Sequence, residues 1–192
     1  MESDDQMMEI ETGVRLKALR ASSGMTLDEL ARSSGVSRAM ISRIERGETS
    51  PTAVLLARLA TALGHSLSTF FAATPSAEPF SASGQQHVWT DPETGYVRRS
   101  VSPPGTGSGV DIVDVVLPPG KRVSFPTQAS STGIFQHVWV LEGRLVMVVQ
   151  EIEREMETGD CLFHDIGLGH SFINLGTEPV RYAVILEHRR KP

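Results

Sequence analysis

Three things are scarce or missing in this sequence: cysteine, long apolar runs and an N-terminal leader pattern. A single cysteine, Cys161, stands among 192 residues, which excludes an internal disulfide and any zinc cluster built on cysteines. No apolar stretch reaches the roughly 18 residues that a membrane-spanning helix needs. The first residues, MESDDQMMEIE, are acidic and lack the basic-then-apolar order of a secretory signal. These absences predict a cytoplasmic protein without a membrane partner.

Positive charge is also scarce overall, because the formal net charge is −5. Its distribution is uneven. Residues 1–12 hold five acids and no base, residues 13–64 hold eight Lys or Arg against four Asp or Glu, and residues 65–192 hold ten against fourteen. The middle segment therefore carries a net charge of +4. A phosphate backbone responds to charge within a Debye length of about 8–10 Å, so this acidic chain can still contain a nucleic-acid-binding module.

Residues 13–71 show the apolar periodicity and the capping signals of five helices. Thr26 begins the second helix, and Glu29 follows three residues later, which is the pattern of a capping box. Ser37 caps the third helix, SRAMISRIER. Ser50-Pro51 opens the fourth, with proline at the first helical position. HSLSTFF predicts a short fifth helix.

Residues 86–190 carry the signals of strands instead. VDIVDVVL, HVWVL, RLVMVVQ, DCLF, SFINL and RYAVILE are rich in β-branched and aromatic residues and are separated by turn sequences. Residues 72–85 are rich in Ala, Ser and Pro and predict a linker, and residues 1–12 predict an acidic tail. The predicted fold class is α plus all-β in two domains, a five-helix N-terminal domain followed by an antiparallel β-barrel or sandwich.

The segment GMTLDELARSSGVSRAMISRIERGETSPT joins two short helices around a Gly-Val-Ser turn, the pattern of a helix-turn-helix. It closely resembles the helix-turn-helix of the phage-repressor-like, or XRE, family, and the resemblance extends over residues 13–71. It implies that the third helix enters the major groove of double-stranded operator DNA. The predicted DNA-binding residues are Thr26, Ser37, Arg38, Ala39, Ser42, Arg43 and Arg46.

Their chemistry assigns different roles to these residues. Arg38 and Arg43 can each make a bidentate contact to guanine, and Ala39 can offer a methyl contact to thymine. Phosphate contacts are expected from the three residues at helix ends or in the loop, Thr26, Ser37 and Arg46. The alternative is that both arginines are only solvated surface charges. Glu45 is expected to pair with an arginine of the same domain, and a homodimer is expected because such modules usually read two half-sites.

Two stretches of the β half are similar to the sequence motifs of the cupin superfamily. WVLEG, residues 139–143, resembles the end of the first motif, and GDCLFHDIGLGHSFINLG, residues 159–176, resembles the second. The second motif is matched in spacing at Gly159, Gly167, His170 and Asn174. Asp165 replaces its proline. The resemblance implies a double-stranded β-helix, and an XRE helix-turn-helix followed by one cupin implies a bacterial regulator.

The first cupin motif lacks its metal ligands here. A metal-binding cupin typically supplies two histidines and a glutamate from this motif and one histidine from the second. Gln136 stands at the glutamate position, ASST at residues 129–132 stands where the histidine pair belongs, and only His170 remains. His137 is no substitute if Gln136 points inward, because neighbouring residues of a strand point to opposite faces. One imidazole and a neutral amide suit a divalent ion poorly, so the sequence predicts no bound metal and no cofactor.

A few polar groups on an apolar wall are typical of a small-molecule site. Strand alternation predicts the ligand-binding residues Gln136, Val138, Val140, His170 and Phe172, with Ser130 or Ser131 at the rim. His170 is expected to donate a hydrogen bond or to carry charge near an anion, so a small metabolite with a carboxylate or an amide suits the site. His164 is interpreted as a surface or strand residue, and Cys161 as a small core residue.

These observations favour a sequence-specific DNA-binding transcriptional regulator whose cupin domain senses a small-molecule effector, without catalytic residues. Two alternatives remain open. One is a metal-dependent cupin enzyme with an accessory DNA-binding module. The other is a dimeric repressor whose cupin domain is only a scaffold.

Overall fold

The computed structural model describes residues 2–71, 78–127 and 133–188, with side chains described from residue 10 onward. The chain divides after Phe71 into two compact units, one helical and one built of β-strands. The predicted order, a helical domain followed by an antiparallel β domain, is confirmed. No helix in these described ranges is long and apolar enough to cross a membrane.

The helical unit contains four α-helices in the part of the chain that the structure describes. They are α1 Glu2–Ser22, α2 Leu27–Ser34, α3 Arg38–Glu45 and α4 Ala53–Ala62. The prediction of a fifth helix at HSLSTFF is wrong, because this segment forms only a short 3-10 helix, Leu67–Phe70. Serine and threonine hydroxyls compete with the helix for backbone hydrogen bonds, and a four-residue segment is the usual length of a 3-10 turn.

Helix α1 begins much earlier than the sequence pattern suggested. Residues 1–12 were expected to form a separate acidic tail, yet the helix is continuous from Glu2. This stretch contains no proline or glycine and is rich in Glu and Met, which favour helix. Further along α1, Gly13 lies so close to α3 that an added Cβ would overlap the carbonyl oxygen of Ile44.

The helix caps explain where α2 and α4 begin. The capping box is confirmed: Thr26 Oγ1 accepts from the backbone N–H of Glu29 at 3.2 Å, and the Glu29 carboxylate accepts from the N–H of Thr26 at 2.7 Å. At the fourth helix the expected start at Ser50-Pro51 is wrong. Thr52 is the N-cap and accepts from Leu55 N–H at 3.3 Å, so the proline lies just outside the helix.

The second unit contains ten strands in the described ranges. They are β1 Val88–Thr90, β2 Val97–Ser100, β3 Val110–Leu117, β4 Arg122–Phe125, β5 Ile134–Glu142, β6 Arg144–Val149, β7 Ile152–Glu157, β8 Cys161–Asp165, β9 His170–Ile173 and β10 Val180–His188. All six predicted strand segments form strands. The sequence patterns missed β1, β2, β4 and β7, which are short or mostly polar.

These strands form two antiparallel sheets that face each other. One has the order β1-β2-β3-β10-β5-β8 and the other the order β4-β9-β6-β7. Rings from opposite sheets touch in the interior, as Phe172 on β9 stacks on Tyr182 on β10 at 5.2 Å. The interior between the sheets is therefore where any buried site must lie. Closure of the sheets into a barrel stays a prediction.

Two smaller expectations have different outcomes. Within the predicted linker, residues 72–77 lie outside the described ranges, and the rest holds only a short 3-10 helix, Ser83–Gln85. The interpretation of Cys161 as a core residue is wrong, because its side chain is exposed. It pairs with the exposed Trp139 on the outer face of the six-stranded sheet.

Candidate DNA-binding helix and interior polar cluster

Helix α3 has one buried face and one exposed face. Ser37 caps it by accepting from the N–H of Met40 at 3.2 Å. Ile41 and Ile44 are completely buried in the helical core. The opposite face is therefore the one available to DNA. The predicted contact residues Thr26, Ser37, Arg38, Ala39, Arg43 and Arg46 are exposed, and Ser42 is half-buried.

Arg38 lies at the N-terminal end of this exposed face. Its side chain is 64% exposed and pairs with Asp28 of α2 at 3.3 Å. An ion pair between two exposed side chains contributes little to stability. Arg38 can therefore exchange this partner for a base edge or a phosphate at small cost.

Arg46 and Ser42 are coupled to each other at the end of the helix. The Arg46 guanidinium donates to both carboxylate oxygens of Glu48, at 2.5 and 2.7 Å, and also to the Ser42 hydroxyl. The hydrogen bond to Glu48 raises the pKa of Arg46, and the same bond lowers the pKa of Glu48. Contact with a phosphate requires Arg46 to leave this partner.

Glu45 faces the interior of the domain. Its carboxylate accepts two hydrogen bonds from Arg20 of α1, at 2.6 and 2.9 Å. Arg20 also donates to the carbonyl of Met25 at 2.9 Å. The expected structural pairing of Glu45 with an arginine is confirmed, and it fixes α3 against α1.

In the β unit, the expected alternation of β5 is confirmed. Gln136, Val138 and Val140 are buried, whereas His137 is half-buried and Trp139 is exposed on the outer face. His170 and Phe172 of β9 are also buried. The five predicted lining residues thus all lie in the interior. The predicted rim residues, Ser130 or Ser131, lie outside the described ranges.

The interior also contains a histidine that the sequence suggested was a surface or strand residue; it lies on a strand but faces inward. His164 of β8 is only 5% exposed and lies opposite Gln136 in the strand register. The Gln136 amide nitrogen is 2.7 Å from Nε2 of His164 and 3.4 Å from Nε2 of His170. The two imidazole rings are 4.6 Å apart between centroids. We call Gln136, His164 and His170 the interior polar cluster.

Hydrogen bonds to the backbone determine the proton positions in this cluster. Nδ1 of His164 lies 3.0 Å from the carbonyl oxygen of Asp165, and Nδ1 of His170 lies 2.8 Å from that of Leu168. A carbonyl oxygen can only accept, so each Nδ1 carries the proton. A neutral imidazole then has its lone pair at Nε2. The two hydrogens of the Gln136 amide group therefore point to two acceptors.

Burial keeps both rings neutral. It lowers the pKa of His170 to about 4, and the neighbouring His164 adds to this effect, while the Leu168 carbonyl opposes it. Burial also lowers the pKa of His164 below its ordinary value. Near neutral pH, His170 is thus an uncharged acceptor at Nε2. This is a correction, because the sequence suggested a donor or a cation.

The donor set of this cluster does not fit a tightly held metal. A metal ion would need the Nε2 lone pairs that the Gln136 amide group now contacts. Within the described ranges no group of three or more His, Cys, Asp and Glu side chains is placed to hold a metal ion. Two imidazoles and a neutral amide are a weak set for a divalent cation.

Sequence reasoning missed His164 because DCLF looked like a continuous apolar core strand. In fact β8 alternates, with Cys161 and Phe163 exposed and His164 buried. The alternation of polar and apolar residues in DCLFHD was the available signal. Only the pairing with β5 shows which set of alternate residues faces the interior.

Two family models match this chain. Residues 16–70 match a helix-turn-helix family model, HTH_3, and residues 113–186 match a cupin domain model. Together with an exposed recognition helix, these matches define the class. The chain thus carries a helix-turn-helix domain followed by a cupin domain, the domain composition of a helix-turn-helix transcriptional regulator.

Two transcriptional regulators are similar to this protein along nearly its whole length. The HTH-type transcriptional regulator SutR of Escherichia coli strain K12 is 29% identical over 175 residues, which cover 91% of this chain and 93% of SutR. The crystal structure of an HTH_3-family transcriptional regulator from Vibrio cholerae has a TM-score of 0.81 at 28% identity, covering 97% of this chain and 99% of that one. Hydroxypropylphosphonic acid epoxidase from S. wedmorenis, an enzyme, reaches a TM-score of only 0.47 at 18% identity, over 93% of this chain and 97% of that one, which supports no inference.

Proposed function

We propose that this regulator binds operator DNA as a homodimer in the cytoplasm and changes its DNA affinity when a small metabolite binds inside the cupin domain. The observation that carries the sensing proposal is the interior polar cluster. Three polar side chains, Gln136, His164 and His170, meet between two apolar sheet faces and form hydrogen bonds with one another. Convergent polar groups on an apolar wall are the usual design of a small-molecule site.

The DNA half of the proposal depends on α3. Its exposed face presents Arg38, Ala39 and Arg43, and Ser42 lies beside them. A guanidinium group can donate two hydrogen bonds to guanine, and this contact discriminates against other bases by roughly 1–3 kcal/mol. One helix-turn-helix reads one half-site, so two copies are needed to read a site of two halves about one DNA turn apart.

The sensing half depends on the residues that line the interior. Val138, Val140 and Phe172 supply apolar contact area, and the interior polar cluster supplies directional hydrogen bonds. An effector that took the place of the Gln136 amide group would meet two neutral imidazole acceptors. That part of the effector must therefore carry a hydrogen-bond donor.

The same residues bear on the alternative of an enzyme. The neutral cluster offers neither a tight metal site nor a charged acid-base pair, so we propose that the cupin domain binds without catalysing. The scaffold alternative requires that the cluster be only a satisfied polar core. It is distinguished by whether any ligand changes operator affinity.

The test begins with an operator selected from a random-sequence DNA library by the purified protein. Fluorescence anisotropy then measures operator affinity in the presence of amino acids, short peptides, polyamines and organic acids. We expect one compound class to change the affinity about 5- to 150-fold, the usual range of allosteric coupling. The effect should disappear in His170→Ala, while ligand-free DNA binding stays intact.

A thermal-shift measurement on the same panel separates binding from coupling. A ligand at 100 times its dissociation constant stabilises the native state by about 2.7 kcal/mol, or roughly 5–10 °C for a chain of this size. Operator affinity that no compound alters, together with an unchanged Tm, would establish the scaffold function instead. A response to divalent metal alone would support the enzyme alternative.

A further inference from the structure

A second set of polar side chains lies in the same interior, away from the interior polar cluster. It belongs to one inward-facing row that crosses the six-stranded sheet. The strand register places in this row Trp89, Arg98, Val115, Tyr182 and Val140. Val140 is one of the predicted lining residues, so this row forms part of the wall of the proposed effector site.

Two members of this row and one neighbour are polar and fully enclosed. Arg98 is 5% exposed, and Tyr96 and Tyr182 are almost completely buried. We call Tyr96, Arg98 and Tyr182 the donor cluster. An arginine side chain is rarely buried to this degree in a protein interior.

The hydrogen bonds within the donor cluster leave it rich in donors. Arg98 Nη1 donates to the Tyr96 hydroxyl oxygen at 3.4 Å. A guanidinium group cannot accept, so the proton of the Tyr96 hydroxyl remains to be donated elsewhere. Arg98 also makes a further interaction, so recognition by this cluster depends on the two hydroxyl groups as much as on the charge.

Tyr182 supplies the independent observation. Its hydroxyl is fully buried and has no hydrogen-bond partner within the described ranges. Buried polar atoms in native proteins are nearly always paired, so such a group calls for a partner that is not part of the chain. Burial raises the pKa of Tyr182 well above its ordinary value, with Tyr96 adding to the effect and Arg98 opposing it, as expected for close neighbours.

The donor cluster adjoins the predicted lining residues. The Tyr182 ring stacks on Phe172 with centroids 5.2 Å apart and an interplanar angle of 12°. Phe172 in turn meets His170 edge-on at 5.6 Å. Arg98 and Tyr182 are separated by one strand, β3, which corresponds to about 10 Å between their backbones.

We propose that Tyr96, Arg98 and Tyr182 bind a carboxylate group of the effector inside the cupin domain. This inference rests on the proposed sensing function and names the chemical class of its ligand. A carboxylate accepts hydrogen bonds from hydroxyl groups, and a nearby guanidinium group favours its negative charge. The carboxylate would accept a hydrogen bond from the Tyr182 hydroxyl.

The test uses matched pairs of carboxylates and their amides: succinate and succinamide, glycine and glycinamide, pyruvate and pyruvamide, with inorganic phosphate alongside. Thermal shifts are measured on the full-length protein, Tyr182→Phe, and the outer-face control His137→Asn. We expect one carboxylate, and not its amide, to raise the Tm of the parent and of the control. Tyr182→Phe should weaken that binding about 10- to 100-fold, the effect of losing a hydrogen bond to a charged group.

The ligand-free variants give a second, independent result. Tyr182→Phe removes a hydroxyl that lacks a partner, so its Tm should equal or exceed that of the parent. Tyr96→Phe removes the acceptor of Arg98 and should lower the Tm. A clear fall in the Tm of Tyr182→Phe would show that its hydroxyl is bonded within the protein, and the inference would be overturned.

The outcomes also distinguish this inference from the proposed function. A carboxylate that raises the Tm through Tyr182 without altering operator affinity would uphold the site and reject sensing. A neutral amide that binds as well as its carboxylate and changes operator affinity would uphold sensing and reject the carboxylate site. Binding of phosphate alone, or no shift with any carboxylate, would also reject the site.

Discussion

The buried imidazole of His170 makes the stability of the cupin domain depend on pH in a defined direction. Its pKa is about 4 in the folded state against an ordinary value of 6.5. Between these two values the unfolded chain binds a proton that the folded chain rejects, so the free energy of unfolding falls as the pH drops from 6.5 to 4. Above pH 6.5 the contribution is constant. At about 1.4 kcal/mol per pH unit, the loss is about 3–4 kcal/mol over the whole window.

The assay is urea unfolding followed by tryptophan fluorescence between about pH 5 and pH 7.5. Both tryptophans, Trp89 and Trp139, lie in the β unit, so the signal reports on that unit. As the pH falls over this range, the free energy of unfolding of His170→Asn should decrease by about 2 kcal/mol less than that of the parent. The free energy of unfolding of His137→Asn, changed on the outer face, should follow that of the parent. Parallel profiles for the parent and His170→Asn would refute the assignment of a buried neutral imidazole.

Three further predictions concern the helical unit. Arg38→Ala should weaken specific operator binding by roughly 1–3 kcal/mol and relax one base position; anisotropy on single-base operator variants measures this, and parent-like binding would contradict the recognition-helix assignment. Glu45→Gln should destabilise the unit by about 3 kcal/mol, because it leaves the largely buried Arg20 without its charged partner; far-UV circular dichroism in urea measures this, and an unchanged midpoint would refute it. Gly13→Ala should lower the Tm of the unit, since the new Cβ meets the Ile44 carbonyl; an unchanged Tm would show that the α1–α3 contact is looser.

The helical unit was predictable to the extent that its signals are local. The capping box at Thr26 and the Ser37 cap are set by residues three positions apart, and the structure contains both. The errors also have local causes. The start of α1 was missed because an acidic run without apolar periodicity looks like a tail, and the Thr52 cap was missed because the preceding proline is a stronger signal.

The interior of the β unit depends on pairing between distant strands, which the sequence does not display. Alternation correctly placed Gln136, Val138 and Val140 inside, because β5 is long and strongly patterned. His164 and Arg98 lie on short strands, where one residue of register decides between interior and surface. Their inward position follows from pairing with β5 and β3, respectively.

The two polar clusters make the two ends of the interior chemically different. The interior polar cluster presents neutral acceptors, and the donor cluster presents hydroxyl protons and a guanidinium group. On β5, Gln136 belongs to the interior polar cluster and Val140 lies opposite Tyr182 of the donor cluster. These two residues are four positions apart, about 13 Å along the strand. A metabolite with a carboxylate at one end and a donor at the other can satisfy both clusters in only one orientation, and a reversed ligand would leave buried polar groups unpaired at both ends. Selectivity would therefore come as much from the cost of the wrong orientation as from the contacts in the right one. The sequence alone pointed to His170 as the group that meets an anion. The proposed carboxylate site lies at Arg98 and Tyr182 instead, because the neutral Nε2 of His170 is an acceptor and cannot donate a hydrogen bond to a carboxylate.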